Sequence, residues 1–474
     1  MTQTATGSAP AASPRGRRLR ASTPTPSAHL GGSADVSIVG DRDPRAWVRA
    51  VAAVALVALG TRWTLPQNLQ VGFLVAAVLL PVWWGAVRRQ RGGTTFLVVG
   101  AAAAVAGLWL GVANAGDHEV DPTAVLPATI TLVGTVVSVG LFVWGREVLR
   151  PERAALWFGI GLALGFSSDT NLFDTNPWKF GYALPVTVIA LAIAAHLGRR
   201  YELAVLAVLT VVAALNDFRS AFGLLLLAAL LVFAQLAIVR PHRRPSPAAV
   251  LAGLAALGVI VFQLGQALIL DGYLGVATQT RSLEQLRVSG SLILGGRPEL
   301  AATVALMEHH PWGFGSGSIP TATDVLVAKE GMASIGYQPD NGYVERFMFG
   351  GHVELHSVFG DLWAQSGVLG LLLVSVMLLV LTVGVARRIS EGTASGVLLY
   401  SAAQSAWNVF FGPFYTSFPI LVIALALAFV PVAGHERPRP GRRGRVGPAR
   451  PGGWHAGRAH RPADVRGTTT ADPT

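Results

Sequence analysis

The chain has 474 residues, of which 52% are hydrophobic and only 13% charged, and its apolar residues come in blocks long enough to cross a bilayer. This composition excludes an ordinary soluble domain, and the absence of cysteine excludes a disulfide framework, a thiolate nucleophile and a cysteine-based zinc site. The net charge of +11 comes mainly from arginines in the two tails and in short loops between apolar blocks, a pattern typical of membrane orientation and not of nucleic-acid binding.

Both ends of the chain are predicted to be disordered, basic and cytoplasmic. Residues 1–45 are rich in Ala, Ser, Thr, Pro and Arg, and residues 435–474 in Gly, Pro and Arg, so neither tail can bury enough apolar surface to fold. The long polar leader does not resemble a secretory signal. Its "DRD" at 41–43 mimics an Asp-x-Asp nucleotide-sugar motif but is interpreted as a juxtamembrane charge cluster.

Between the tails, about twelve apolar segments are predicted to be transmembrane helices, judged against the roughly 20 residues that a crossing helix needs. Nine precede residue 270 and three follow residue 357, so the predicted fold class is an all-α polytopic membrane protein. The predicted spans are 46–63, 69–87, 94–113, 124–145, 153–168, 180–197, 201–217, 220–239, 247–270, 357–386, 393–411 and 418–434.

Arginine occurs in every second loop between these spans. Positively charged loops normally face the cytoplasm, so both termini are predicted to be cytoplasmic and the chain to be a multi-pass protein of the cytoplasmic (inner) membrane. The alternate loops, including the acidic 114–123, are then extracytoplasmic. The basic loops contain Arg88, Arg89 and Arg91, then Arg146, Arg150 and Arg153, then Arg199 and Arg200, then Arg240, Arg243 and Arg244, then Arg387 and Arg388.

This topology places one long segment, residues 271–356, outside the membrane between the ninth and tenth spans. Loops of this length are usually functional. Within it, 297–310 has helical spacing and "HPWGFGSGSIP" at 310–320 is a turn rich in Gly and Pro, so a small, mainly helical cap is expected. The "GFGSG" at 313–317 is interpreted as part of that turn and not as a phosphate loop.

Two histidines stand where this segment enters the tenth span. If about 20 residues before Arg387 lie in hydrocarbon, His356 stands about 15 Å above the core, among the lipid headgroups. His352 and His356 are expected to share one helix face with Gly360, Trp363 and a following stripe of small residues that packs against neighbouring helices. The histidine face would then point into the helix bundle.

Three cations at the same outer face suggest an anion site. Arg219 lies at a short outside loop where arginine is disfavoured, although it can also snorkel or pair with Asp217. Arg297 follows two glycines at the expected start of a helix, where backbone N–H groups and the guanidinium can jointly hold phosphate oxygens. Lys179, at an outer helix mouth, either contacts the same anion or anchors the interface with Trp178.

Four stretches resemble the bacterial O-antigen ligase and O-antigen polymerase family, over roughly residues 150–390 and in the same order. The family consists of membrane glycosyltransferases with a GT-C-like helical fold that take a glycan from undecaprenyl diphosphate at the outer face. The stretches are "DTNPWKFGYALPVTVIALAIA" (174–194), "ALNDFRSAFGLLLL" (214–227), "GGRPELAATVALMEHHPWGFGSGSIP" (295–320) and "HSVFGDLWAQSGVLGLLLV" (356–374).

The resemblance implies a role for each candidate residue. Arg219, Arg297 and Lys179 would hold the donor diphosphate, and His356 would accept the proton of the attacking acceptor hydroxyl, without metal or other cofactor. The implied partners are an undecaprenyl-diphosphate-linked glycan, membrane lipids, and a glycan, lipid or protein acceptor in surface polysaccharide and cell envelope biogenesis. Supporting candidates are His352, Asn176, Asp361 and Arg281, with Glu354 as an alternative to Asp361 for orienting the imidazole.

The chain also departs from the family. "PELAA" follows Arg297 where the family usually has a tryptophan, Ser357 replaces an asparagine after the closing histidine, and residues 321–350 form an insert-like segment. These departures leave open the identity of the acceptor and the choice between ligase and polymerase.

Two other functions remain open from the sequence. A flippase or transporter for a lipid-linked glycan would show repeated halves or charges near the membrane midplane, whereas here the ionisable residues cluster at one face. An intramembrane metallopeptidase would rest on His352 and His356, with His309 and His310 as further nitrogen ligands. The order HVELH differs from HExxH, in which glutamate directly follows the first histidine, so no metal is expected.

Overall fold

The computed structural model describes residues 44–237, 245–273, 275–350 and 352–432. The chain divides into two units, residues 1–46 and 47–474, and the second holds all the features described below except the first three residues of the helix Pro44–Thr61. The "DRD" cluster, the arginines at 240, 243 and 244, and the two predicted tails, apart from residues 44 and 45, lie outside the described residues.

The described residues form α-helices and no β-strand; only three isolated β-bridges occur among them. A 3-10 turn covers Pro66–Asn68, and π-helical turns cover Trp178–Tyr182 and Val344–Met348. The α-helices are α1 (Pro44–Thr61), α2 (Val71–Val78), α3 (Leu80–Arg88), α4 (Gly93–Ala113), α5 (Pro122–Leu149), α6 (Pro151–Gly165), α7 (Asn171–Thr175), α8 (Ala183–Leu197), α9 (Arg199–Leu215), α10 (Arg219–Ala237), α11 (Pro247–Leu270), α12 (Val276–Ser289), α13 (Leu292–Gly296), α14 (Glu299–His309), α15 (Ala322–Ser334), α16 (Val358–Ser390), α17 (Gly396–Phe411) and α18 (Phe414–Ala428).

The predicted all-α membrane class is confirmed in its coarse form. Six helices of the described part are long and apolar enough to cross a membrane, and a seventh span is the pair α2 and α3, which is bent by 75°. Each of the predicted apolar segments overlaps a helix or a helix pair. For the segment expected at 418–434, the predicted end is wrong, because α18 stops at Ala428. At this point Arg146 binds the carbonyl oxygens of Leu427 and Phe429.

Contacts between loops separate the helix bundle into two ends. At the arginine-rich end, Arg89 of the loop after α3 pairs with Glu147 at the end of α5, at 2.7 Å. At the same end, Arg199 at the start of α9 donates to the carbonyl oxygen of Gly392 in the loop after α16, at 3.3 Å. The opposite end joins the loop after α4 to residues 313–324, where Asn114 donates to the carbonyl oxygen of Phe314 at 2.8 Å. The predicted alternation of basic and acidic loops therefore corresponds to two ends of one bundle.

Helix α18 lies at the centre of the bundle. Its residues from Ser417 to Ala428 are all buried, so its apolar side chains contact other helices on every side. A helix buried all round faces protein and not solvent or lipid, so its length is not dictated by the bilayer thickness. This explains why a helix of 15 residues occupies the middle of the protein.

The Gly-rich turn at 310–320 inserts between α4 and α16. Helix α16 breaks at Gly367, where φ is 57° and ψ is −139°. The break frees the carbonyl oxygen of Ala364, which accepts hydrogen bonds from the backbone N–H groups of Phe314 (2.8 Å) and Gly315 (2.9 Å). On the other side, Gly315 lies so close to α4 that a Cβ on it would stand 2.2 Å from the backbone nitrogen of Gly111.

Close helix packing at glycine can be tested with two substitutions that differ in their surroundings. A Cβ at Gly384 in α16 would lie 2.1 Å from the carbonyl oxygen of Ala428, whereas a Cβ at Gly258 in α11 would meet nothing within 4 Å. We expect Gly384→Ala to lower stability by about 1–3 kcal/mol, because the helices must move apart. Gly258→Ala should leave it unchanged or raise it by about 0.5–1 kcal/mol. Thermal unfolding of the two purified variants in detergent measures the difference, and equal melting temperatures would contradict this packing.

Candidate functional site

Four cations from separate segments lie together at the end of the bundle opposite the arginine-rich end. Lys179 follows α7 in the π-helical turn, Arg219 is the first residue of α10, Arg281 lies on α12, and Arg297 joins α13 to α14. Lys179 interacts electrostatically with all three arginines, and Arg219 with the other two. We call these four residues the cation cluster.

Helix α12 lies over the start of α10 and fixes two members of the cluster. Arg219 Nη1 donates to Ser282 Oγ at 2.8 Å and approaches Gln285 Oε1 at 3.5 Å. Arg281 forms an ion pair with Asp217, at the loop before α10. The pairing of Arg219 with Asp217 that the sequence suggested is therefore taken instead by Arg281, 64 residues away in the chain.

Asp217 is the one carboxylate that forms an ion pair with the cluster among the described residues. Burial alone would raise its pKa, but hydrogen bonds donated by Arg281 and Thr278, together with the charges of Arg281 and Arg219, lower it below the ordinary value. Asp217 is therefore ionised at neutral pH. One ion pair among the four cations leaves three positive charges without a paired carboxylate among the described residues, and these charges repel one another unless an anion joins them.

The charged groups of two of the four cations, Lys179 and Arg297, form neither an ion pair nor a hydrogen bond within the described ranges. Arg297 makes no side-chain hydrogen bond or ion pair there, and Lys179 Nζ lies over the rings of Phe180 and Phe218, 5.0 and 5.8 Å from their centroids. Asn176 sets the position of Lys179: its Oδ1 accepts from the Lys179 backbone N–H at 2.9 Å, and its Nδ2 donates to the carbonyl oxygen of Asn216 at 2.7 Å. Asn176 thus ties the turn that carries Lys179 to the loop before Arg219.

His356 lies just before α16 in an unusual backbone conformation. Its φ is 54°, in the left-handed region that non-glycine residues seldom occupy and that costs energy unless neighbouring contacts enforce it. Its ring Nε2 is 3.8 Å from Glu354 Oε1, its Nδ1 is 3.3 Å from the Glu354 carbonyl oxygen, and its side chain is 19% exposed.

The expected helical face shared by His352 and His356 is wrong. Helix α16 begins only at Val358, because the Ser357 side chain caps it by accepting from the Gly360 N–H. The two histidines instead stand on either side of Glu354, whose Oε2 is 3.3 Å from His352 Nε2. Of the expected stripe, Gly360, Trp363, Gly367 and Gly370 are all buried, so the close packing predicted for it is present.

Two residues that sequence reasoning missed connect His356 with the cation cluster. The Tyr343 hydroxyl donates to Glu299 Oε1, and Glu299 is two residues after Arg297. The ring of Tyr343 is 6.1 Å from that of His356, and its hydroxyl interacts electrostatically with Arg297. Burial and then the charge of Glu299 raise the Tyr343 pKa, so the phenol stays neutral. Tyr343 lies in the 321–350 insert, where no motif pointed to it.

Asp361 holds the backbone of this segment and does not contact the imidazole. Its Oδ1 accepts from the Leu355 N–H at 2.6 Å and its Oδ2 from the Phe414 N–H at 2.7 Å. It therefore fixes the chain directly before His356 to the start of α18. The expectation that Asp361 contacts and orients the histidine ring is therefore wrong. Glu354, the alternative, is the residue that contacts the ring.

A cavity of about 570 Å³ opens beside this segment. His352, Glu354 and Asp361 line one side of it, and the start of α5 and the Gly-rich turn at 315–318 line the other. None of the four cluster cations lines it. Glu354 therefore contacts both the cavity and His356, whereas Tyr343 connects His356 with Arg297 of the cation cluster.

The fold defines the class of the protein as an all-α membrane protein with several membrane-spanning helices. Comparison of the chain with protein-family models, with curated proteins and with solved structures finds no match. The likeness to O-antigen ligases and polymerases rests on the four sequence stretches alone.

The role of Asp361 predicts a large loss of stability on truncation. Asp361→Ala leaves the N–H groups of Leu355 and Phe414 without their acceptor. Each buried group without a partner lowers the free energy of unfolding by about 1–3 kcal/mol. Asp340→Ala is a matched control, because that carboxylate is 88% exposed and contacts only the surface cation Lys329. We expect thermal unfolding in detergent to begin several degrees lower for Asp361→Ala alone. Equal melting temperatures for both variants would rule out this anchoring role.

Proposed function

We propose that the chain is a multi-pass membrane glycosyltransferase of the O-antigen ligase or polymerase type. It moves a glycan from undecaprenyl diphosphate to an acceptor hydroxyl on the outer face of the cytoplasmic membrane, in surface polysaccharide biosynthesis. The observation that carries this proposal is the gathering of Lys179, Arg219, Arg281 and Arg297 around one carboxylate. A diphosphate supplies the negative charge that this cluster lacks.

The proposed topology places this site outside the cytoplasm. The basic loops meet at one end of the bundle and the cation cluster lies at the other. With the basic loops inside, all twelve segments cross the membrane, both termini are cytoplasmic, and residues 271–356 form an extracytoplasmic cap. The short helices α6, α9, α17 and α18 and the bent pair of α2 and α3 are spans of this bundle.

In the proposed reaction the cations stabilise the leaving group. The acceptor oxygen forms a bond to the anomeric carbon while the bond from that carbon to the diphosphate oxygen breaks, and the electron pair leaves with the diphosphate. Fixed positive charges stabilise this developing negative charge in the transition state, which is the task a metal performs for nucleotide sugars. Arg297 and Lys179 are best suited, since the charged group of neither forms an ion pair or a hydrogen bond with a residue that the structure describes.

His356 is the proposed general base. When its Nδ1–H donates to the Glu354 carbonyl oxygen, Nε2 is free to accept the acceptor's proton. The Glu354 carboxylate, 3.8 Å from that nitrogen, then stabilises the imidazolium that forms. The cavity lined by His352 and Glu354 is the proposed acceptor site, separate from the cations that would hold the donor.

The topology can be tested with single cysteines, because the natural chain has none. Arg91 and Ala115 are exposed and flank the two ends of α4. In intact cells we expect a membrane-impermeant maleimide to label Ala115→Cys, and to label Arg91→Cys only after the membrane is permeabilised. Labelling of Arg91→Cys from outside, or of both from one side, would refute the proposed orientation.

The transfer reaction can be tested in detergent with lipid-linked glycans extracted from the organism's own membranes. We expect His356→Ala to reduce the rate by about 10²–10⁴-fold, as for loss of a general base. Arg297→Gln should reduce it by about 10²–10³-fold, as for loss of one stabilising charge. Arg287→Gln is the control, because this arginine of the same segment is 75% exposed and pairs with Glu284. Mass spectrometry of the glycan products and of released undecaprenyl diphosphate gives both readouts.

The outcomes separate the enzyme from a lipid-linked glycan transporter. A transporter would leave transfer absent in every sample, wild type included, while the same substitutions stop translocation of the glycolipid across liposomes. Mass spectrometry of surface glycans from a deletion strain would then identify the acceptor, because a polymerase defect shortens a polymer and a ligase defect leaves an anchor bare.

A further inference from the structure

Three metal-binding side chains meet at a second place, outside the cation cluster and the cavity. His118 belongs to the loop after α4, His310 follows α14, and Asp324 lies in the first turn of α15. His118 Nε2 is 3.0 Å from Asp324 Oδ2, and His310 Nε2 is 3.2 Å from Asp324 Oδ1. One ligand atom from each residue lies within 4.8 Å of the other two.

These separations match a metal coordination sphere. Zinc binds imidazole nitrogen and carboxylate oxygen at about 2.0–2.2 Å, so the ligand atoms of a tetrahedral site stand roughly 3.3 Å apart. His118 Nε2 stands 3.0 Å from one oxygen of the Asp324 carboxylate and His310 Nε2 stands 3.2 Å from the other, so both imidazoles face the same carboxylate at about this spacing. His118 and Asp324 are 206 positions apart in the chain, so the fold and not local sequence brings His118 to the other two residues.

The carboxylate is held with one oxygen unused. Asp324 is fully buried, and its Oδ2 accepts from the Thr321 N–H at 2.7 Å and the Thr321 hydroxyl at 2.8 Å. Its Oδ1 makes no hydrogen bond with the described residues although it faces the His310 ring. A buried carboxylate oxygen without a hydrogen bond is costly, and a cation would satisfy it. Thr321 meanwhile orients the carboxylate, as the hydrogen-bond partners of metal ligands commonly do.

We propose that His118, His310 and Asp324 bind one divalent transition-metal ion, with zinc the best match to two imidazoles and a carboxylate. Three protein ligands leave a further coordination position for water. His310 is 32% exposed at its side chain, whereas His118 is 4% exposed, so the ion enters from the His310 side.

The ion would act as a cross-link between the helix bundle and the segment 271–356. His118 is carried by the loop between two long apolar helices, and the other two ligands by helices of that segment. Phe314 packs against both histidine rings, at 5.3 Å from His118 and 5.0 Å from His310, and also against Trp363 of α16. The site would therefore fasten the Gly-rich turn where it enters the bundle.

The test is the metal content of the purified full chain, prepared without a polyhistidine tag. After incubation with zinc chloride and desalting, elemental mass spectrometry should find about one zinc ion per chain. Asp324→Asn and His310→Gln should each reduce this to near zero, while His309→Gln should retain it, because His309 is exposed beside His310 without belonging to the site. The N-cap of α15 is Thr321, which is unchanged, and the asparagine side-chain oxygen can still accept from the Thr321 N–H, so the first variant keeps its helix start.

A second readout does not depend on stoichiometry alone. Zinc should raise the melting temperature of the wild-type chain and of His309→Gln by several degrees, and a chelator should reverse the rise. The Asp324→Asn and His310→Gln chains should not respond to either. A wild-type chain that binds no stoichiometric zinc, or zinc content and melting temperatures that both substitutions leave unchanged, overturns the proposal.

Discussion

The insertion of the Gly-rich turn between α4 and α16 is the constraint on which the rest of the bundle end opposite the arginine-rich end depends. The break at Gly367 exposes one carbonyl oxygen, that of Ala364, and two N–H groups of the turn bind it. Backbone approaches this close at Gly111 and Gly315 leave no room for a side chain. The same turn connects the end of α14 to the start of α15. It therefore fixes how this part of the segment 271–356 lies over the bundle.

A second set of contacts holds the proposed catalytic residues in place. Asp361 binds the N–H groups before His356 and at the start of α18, so the buried central helix and the histidine segment share one anchor. Tyr343 and Glu299 then link the histidine to the helix junction that carries Arg297. The proposed base and the proposed phosphate-binding cations are thus held by one contact chain, although they lie on different helices.

The apolar helices could be predicted from the sequence because twenty-residue apolar blocks have few alternatives, and the arginine loops then ordered them. The bend between α2 and α3 had a visible signal in Pro81, since proline removes a backbone donor. Arg219 could be singled out because it lies at a loop where the charge rule disfavours arginine. The partnership of Asp217 with Arg281 and the role of Tyr343 were not predictable, because both depend on folding of a long segment with no periodic pattern. The start of α16 could have been predicted from Ser357, because serine is a preferred helix N-cap, whereas the spacing of the two histidines suggested an earlier start.

Among the described side chains of α11, only Val250 and Val261 are buried hydrophobic residues, so packing holds this helix weakly. A short connection after Leu270 leads to α12, which begins at Val276 and supplies Arg281 and the partners of Arg219. Repulsion among the cations therefore acts on α12, which follows a weakly packed helix. Local opening free energies follow contact density, so α12 would be among the first helices to exchange its amide hydrogens. An anion that neutralises the cluster would slow this exchange, coupling occupancy of the site to rigidity of the helix above it.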